Sequence, residues 1–329
     1  IVIAGAAGQG VQSAAGILGK TLLRLGYYVF ITQDYQSRVR GGHNFISVRF
    51  SDAPLAAPVR RADYLLALNE ESVGLRLGEL GAEGLAFCLE ADKGSQADPR
   101  LRVLPDSVGP AAARGEKFAA VKLLSMLFAS LGFRPEVLSG SVKKLFEGRL
   151  KPEALQANLD SVSAVSSFID ARDVRPPDFK PAPAPDRMLI SGNDAVALGM
   201  AAAGIGVYAG YPITPSTSIL NALGTAGPGL GIAVEQAEDE IAALNIAIGA
   251  SYAGVRAACG SSGPGMSLMG EAIGLSAITE TPVVIYDGQR SGPSTGMATR
   301  TEQGDLLTLV NASHGEFPRA IISPASHED

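Results

Sequence analysis

The sequence predicts an α/β protein of two domains, and three observations carry that expectation. The chain opens on a short apolar run at residues 1–4, a glycine turn and a helical pattern, which is the start of a strand–helix–strand unit. Residues 175–185 hold five prolines in eleven positions. Proline lacks the N–H that helix and sheet interiors need, so this stretch reads as an extended linker. From Met188 onward, apolar strand-like runs again alternate with small-residue helical runs. The expected layout is a first α/β domain at 1–174, a linker at 175–187 and a second, parallel-sheet α/β domain at 188–329.

The elements follow in order. After the turn Gly5-Ala6-Ala7-Gly8-Gln9-Gly10, the residues Val11, Ala14, Ala15, Leu18, Leu22 and Leu25 recur on one helical face. Tyr28-Val29-Phe30-Ile31 reads as a second strand, residues 45–50 as a third and residues 64–68 as a fourth. Helices are expected at 117–133 and 152–169. In the second domain a helix starts after Ser191, and strands are expected at 207–212, 232–234, 255–259 and 282–286. Between them lie helices at 241–253 and 265–277, and residues 320–322 read as a last strand. A first residue of Ile1 and an end just after that run suggest a sequence cut at both ends.

Composition narrows the classes of function. Hydrophobic residues make up 46% and charged residues 18%, which suits large cores rather than disorder. A net charge of -6 without a basic stripe argues against nucleic acid. No apolar run reaches the ~18 residues of a membrane span, and residues 189–207 are interrupted by Asn193 and Asp194. Two distant cysteines, Cys88 and Cys259, suit a reducing cytoplasm and are too few for an iron–sulfur cluster. The three histidines have no zinc-site spacing.

Three segments carry candidate chemistry. The turn from Gly5 to Gly10, with Asp34 after the second strand, could cradle a pyrophosphate and a ribose, or could serve helix–strand packing. Arg38-Val39-Arg40-Gly41-Gly42-His43 could meet a phosphate or a partner subunit, or be a solvated loop. In Glu235-Gln236-Ala237-Glu238-Asp239-Glu240 the acidic residues suit a helix start. Glu240, however, also heads a small apolar helix that reaches Gly249, which puts its carboxyl at the edge of an apolar site.

A glutamate before such a helix resembles the pyrimidine-binding domain of thiamine-diphosphate enzymes. Tyr211-Pro212-Ile213-Thr214-Pro215-Ser216 resembles the YPITPS motif of the 2-oxoacid:ferredoxin oxidoreductases, Ser262-Gly263-Pro264-Gly265 their SGPG turn, and Gln289 to Gly296 their GPSTG loop. Gly8-Gln9-Gly10 and Arg40-Gly41-Gly42 resemble that family's gamma subunit. The resemblance spans nearly the whole chain in gamma-then-alpha order, so the first domain is expected to be gamma-type and the second pyrimidine-binding-type. Met297-Ala298-Thr299 departs from the more usual Leu-Pro-Thr.

The resemblance implies the following roles. Glu240 hydrogen-bonds the cofactor's aminopyrimidine. Tyr211, Pro212, Ile213, Ser262 and Gly263 line the cofactor, and Thr214 and Arg290 contact the substrate carboxylate. The reaction implied is oxidative decarboxylation of a 2-oxoacid, with 2-oxoglutarate the expected substrate, to acyl-CoA and carbon dioxide, with electrons passing to ferredoxin through an iron–sulfur cluster. Magnesium and the [4Fe–4S] cluster are expected on a separate beta subunit, with coenzyme A as co-substrate and a dimer of heterodimers as the assembly. Other classes remain open from sequence: a non-oxidative thiamine-diphosphate decarboxylase, a nucleotide-binding dehydrogenase, or a non-catalytic assembly subunit.

Overall fold

A computed structural model, describing residues 1–36, 41–181 and 187–329, divides the chain into two units, Ile1–Leu189 and Ile190–Asp329. Arg38, Val39 and Arg40 of the basic loop, and residues 182–186 of the Pro-rich stretch, lie outside the described residues.

In the first unit the chain runs β1 (Val2–Ala7), α1 (Val11–Arg24), β2 (Tyr28–Asp34), β3 (Gly41–Ser51), β4 (Ala62–Ala67), α2 (Glu70–Arg76), β5 (Leu80–Leu89), β6 (Leu101–Leu104), α3 (Ala119–Ser130), α4 (Pro135–Phe146) and α5 (Pro152–Ser166). The sheet order is β2-β3-β1-β4-β5-β6. β1, β4, β5 and β6 are parallel, whereas β3 pairs antiparallel with both β1 and β2. Alternation along the strands sorts the two faces. Ile3, Tyr64, Leu66, Leu85 and Phe87 go to the core shared with α1, α3, α4 and α5. Ala4, Ala67, Ala86 and Cys88 face the other way, where Val73 of α2 closes over them. Large side chains therefore meet four helices, and small ones let the short α2 approach.

The Pro-rich stretch leaves this unit gradually. Phe179 stacks edge-on against Tyr27 and Phe50, with ring centroids 5.8 and 5.5 Å apart. Upstream, Asp173 is 3% exposed and receives Arg102 of β6 through Nε and Nη2, the latter 2.9 Å from Oδ1.

The second unit contains α6 (Gly192–Ala202), β7 (Val207–Gly210), α7 (Thr217–Leu230), β8 (Ala233–Gln236), α8 (Glu240–Tyr252), β9 (Ala257–Ser261), α9 (Gly263–Leu268), α10 (Gly270–Ile278), β10 (Val284–Asp287) and α11 (Leu306–Val310). Its sheet, β10-β9-β7-β8, is wholly parallel. Tyr208 and Ala258 point to α6 and α7, while Ala209, Ala257 and Cys259 point to α8, α9 and α10. Covering both faces in this way is what buries a parallel sheet. The helix expected at 265–277 is two helices meeting at Met269, and residues 320–322 form no strand. Among the described residues no helix is long and apolar enough to cross a membrane.

Replacing Asp173 by Ala removes a buried acceptor of two charged hydrogen bonds. The expected outcome is a loss of about 1–3 kcal/mol, read as a lower urea midpoint with an unchanged slope. An unmoved midpoint would mean that the pair does not tie β6 to the end of the helical layer.

Candidate functional site

All four motif segments of the second unit sit where parallel strands end. Tyr211 to Ser216 follow β7, Ala237 to Glu240 follow β8, Ser262 to Gly265 follow β9, and Gln289 to Gly296 lie beyond β10. In open α/β sheets the carboxyl edge is where ligands bind.

Glu240 is placed by its helix. Asp239 caps α8, its Oδ1 accepting from the amide of Ala242 at 2.7 Å. Glu240 therefore starts the first turn, in step with the buried positions Ala243, Leu244, Ala247 and Ile248. The stripe carries its carboxyl inward, and Glu240 is only 6% exposed. No hydrogen-bond partner meets that carboxyl among the described residues. Its charge reaches Cys259, whose thiol burial pushes up to about 12, with Glu240 adding to the rise.

The SGPG turn makes room for this acid. A Cβ on Gly265 would lie 2.0 Å from Ser261 Oγ, 2.6 Å from Glu240 Cγ and 3.0 Å from Glu240 Oε1. Only hydrogen fits there, so the carboxyl rests directly on the first turn of α9. Ser261 and Ser262 are fully buried, and neither hydroxyl has a partner. The Glu240 carboxyl and the two buried serine hydroxyls thus gather at one turn, and groups of this kind suit a flat heteroaromatic ring with hydrogen-bonding edges. On this geometry the residues fit an aminopyrimidine.

Arg290 is not an exposed loop charge. It is 7% exposed, with Nη1 donating to the carbonyl of Thr214 and Nη2 to that of Thr295, both at 2.9 Å. It thereby joins the β7 loop to the β10 loop, and its buried Nε is left without a partner. Tyr211 is 39% exposed, and Pro212, Ile213 and Thr214 are partly exposed beside it.

Sequence reasoning missed several polar residues around these loops. Asn193, at the start of α6, donates to the carbonyl of Pro215 at 2.7 Å and accepts from the Tyr286 hydroxyl at 2.7 Å. Glu302 accepts from the Ser291 hydroxyl. Asp287 ends β10 and Asp305 precedes α11, both with buried oxygens that have no partner. None lies in a motif, and only Asn193, just inside a capped helix, had a local signal.

The first unit's glycine turn is filled from within. Gln9 Oε1 accepts from the amide of Ala6 and from Asn69 Nδ2, each at 2.7 Å. Asp34 ends β2, which β3 separates from β1. That differs from the dinucleotide fold, whose first two strands are neighbours. His43 accepts from Arg76 Nε at 2.8 Å, and burial followed by the Arg76 charge lowers its pKa. Among the described residues no group of acidic, histidine or cysteine side chains could hold a metal ion.

Two α/β units with this edge define a thiamine-diphosphate-type fold preceded by a gamma-type domain, and sequence comparison gives the family. Residues 1–167 match pyruvate ferredoxin/flavodoxin oxidoreductase, and residues 198–329 match its thiamine-diphosphate-binding part. The chain belongs to this family, that of the 2-oxoacid:ferredoxin oxidoreductases. It is 32% identical over 385 residues to the alpha subunit of 2-oxoacid:ferredoxin oxidoreductase 1 of Aeropyrum pernix, covering 99% of this chain and 60% of that one. It is 48% identical over 141 residues to the 2-oxoglutarate synthase subunit KorA of Archaeoglobus fulgidus, covering 43% of this chain and 41% of KorA. Among solved structures, 2-oxoglutarate:ferredoxin oxidoreductase from Magnetococcus marinus, with 2-oxoglutarate, coenzyme A and succinyl-CoA bound, matches 96% of this chain and 56% of its own. The TM-score there is 0.83 at 27% identity. The chain spans 60% of the length of the first of these relatives.

Gly265→Ala is expected to destabilise the second unit by about 1–3 kcal/mol through overpacking. Gly249→Ala, at an open helical position, should be neutral or stabilise by about 0.5–1 kcal/mol. Chemical denaturation of both variants checks the contrast, and equal effects would remove the close approach of Glu240 as the reason for the glycine.

Proposed function

We propose that this chain supplies the pyrimidine half of the active site of a 2-oxoacid:ferredoxin oxidoreductase. The observation that carries the reading is Glu240: a buried carboxyl, unpartnered, lying against a glycine turn at the carboxyl edge of a parallel sheet. Bound thiamine diphosphate supplies the carbanion chemistry that lets a 2-oxoacid lose carbon dioxide. The residues of this chain hold and orient. Glu240 would hydrogen-bond the ring nitrogen of the aminopyrimidine and exchange a proton with it through its carboxyl. Tyr211, Pro212 and Ile213 form one wall, and Ser262 and Gly263 the other. Thr214 presents its hydroxyl to the substrate carboxylate, and Arg290 offers its free Nε while fixing the Thr214 backbone.

The remaining machinery belongs to partners. A beta subunit carries the diphosphate site, magnesium and the [4Fe–4S] cluster, and coenzyme A and ferredoxin complete the turnover. The assembly is a dimer of heterodimers in the cytoplasm. The 2-oxoglutarate reading of the substrate is supported by the KorA similarity over 141 residues. For the domain layout we propose 1–174, a linker at 175–187 and 188–329.

The test is exchange of labelled carbon dioxide into 2-oxoglutarate, pyruvate and branched-chain oxoacids, using the chain purified with its native partner. Glu240→Gln should lower exchange by about 10²- to 10⁴-fold, the usual worth of a positioned proton-transfer group. Undiminished exchange in that variant would make the chain an assembly subunit.

A further inference from the structure

The loop that carries Thr214 is poor in donors. Pro212 and Pro215 have no N–H, so the backbone on either side of Thr214 can offer little to its surroundings. Two successive carbonyls, those of Thr214 and Pro215, are met instead by side chains from elsewhere in the fold. Arg290 Nη1 donates to the first at 2.9 Å, from the loop beyond β10. Asn193 Nδ2 donates to the second at 2.7 Å, from the start of α6 and 22 positions earlier in the chain.

Asn193 is itself held in place. Ser191 caps α6, its Oγ accepting from the Asp194 amide at 3.1 Å, which puts Asn193 at the second helical position. The same Nδ2 also donates to Ser218 Oγ, in the first turn of α7, at 2.6 Å. Oδ1 accepts from the Tyr286 hydroxyl of β10 at 2.7 Å. The direction of this network is fixed by one member. A proline carbonyl can only accept, so the amide nitrogen must face Pro215 and the amide oxygen must face Tyr286. Tyr286 must then donate. Burial, followed by the Asp287 charge, raises its pKa, so the hydroxyl keeps the proton it gives. Gly288 completes the seat. A Cβ there would lie 3.0 Å from Pro215 Cγ and 3.3 Å from Tyr286 Cε1, so only a bare backbone lets both rings come this close to the end of β10.

We propose that Asn193, keyed by Tyr286, is a positioning residue for substrate recognition: its bond to the Pro215 carbonyl, with that of Arg290 to the Thr214 carbonyl, fixes where the Thr214 hydroxyl meets the carboxylate of the 2-oxoacid. This rests on the reading above that Thr214 contacts that carboxylate. Asn193 acts through the loop and touches no substrate. A loop clamped at two successive carbonyls is ordered before the oxoacid arrives, so its ordering is not subtracted from the binding energy.

The test uses Asn193→Asp, Tyr286→Phe and Thr214→Val in the chain purified with its native partner. Aspartate keeps the shape of asparagine and suits a helix N-terminus, but its ionised carboxylate has no hydrogen to give Pro215. Amide hydrogen exchange across residues 213–219 should quicken about tenfold in Asn193→Asp, the order expected for one lost hydrogen bond, and less in Tyr286→Phe. The thermal midpoint should stay at the wild-type value. The oxoacid concentration that half-saturates carbon dioxide exchange should rise by a similar factor, about tenfold. Asn193→Asp should add nothing further in a Thr214→Val background, because both act on one contact. Unchanged local exchange would overturn the clamp, as would a quickening spread over the whole second unit with a lowered midpoint. Independent, additive effects of the two substitutions on half-saturation would overturn the link to Thr214. Quickened local exchange with oxoacid saturation unmoved in both Asn193→Asp and Thr214→Val would keep the clamp and overturn the functional reading of Thr214 alone.

Discussion

Because β8, β7, β9 and β10 all run in one direction, their four carboxyl ends meet along a single edge, and the site depends on that constraint. Each strand delivers one loop: the Tyr211 loop, the turn into Glu240, the SGPG turn and the Arg290 loop. Helices on both faces hold the strands in place through small residues such as Ala209, Ala257 and Ala258. Those residues bring backbones close, so loops that are far apart in sequence come within hydrogen-bond reach. Arg290 then bridges 76 positions of sequence by bonding the carbonyl of Thr214.

The same closeness explains why polar groups are stranded there. A loop packed tightly enough to exclude water cannot satisfy every hydroxyl and carboxyl from its own backbone. Ser261, Ser262, Asp287, Asp305 and the Nε of Arg290 are all left without a partner inside the second unit. In the first unit Thr21 and Ser125 return their hydroxyls to carbonyls four residues back, while Ser130 Oγ is left without a partner. The concentration of unmet polar atoms at one edge is what distinguishes a prepared site from ordinary packing.

Much of this edge was legible in the residues, for a physical reason. YPITPS, SGPG and GPSTG are short and contiguous, and glycine and proline mark turns whatever the surrounding fold. Glu240 was readable because its helix is small and apolar on all sides, so a carboxyl at its head stands out. β5 was missed because Gly81, Glu83 and Gly84 interrupt its period before the apolar run from Leu85. α7 was missed because its glycines and Pro228 read as loop, although buried Ile219, Leu220 and Leu223 hold it against the sheet. The antiparallel insertion of β3 was hidden because pairing direction is a tertiary property. Asp287 and Asp305 stand 18 positions apart, and only the return of the loop onto β10 brings them to the same turn.

The charge at the edge favours one end of the proposed cofactor over the other. Glu240 heads α8, Asp287 ends β10, Asp305 precedes α11, and Glu302 accepts from Ser291 in the loop that also carries Arg290. Arg290 is already bonded to two carbonyls. A diphosphate would lie badly in such a field, whereas a neutral aminopyrimidine would be drawn to an unpartnered carboxyl. The edge is thus suited to the ring and unsuited to the phosphates, which supports a site completed by a second polypeptide. On that view the acids do separate tasks. Glu240 faces the ring, and Asp305 lies against the other glycine of the SGPG turn, Gly263.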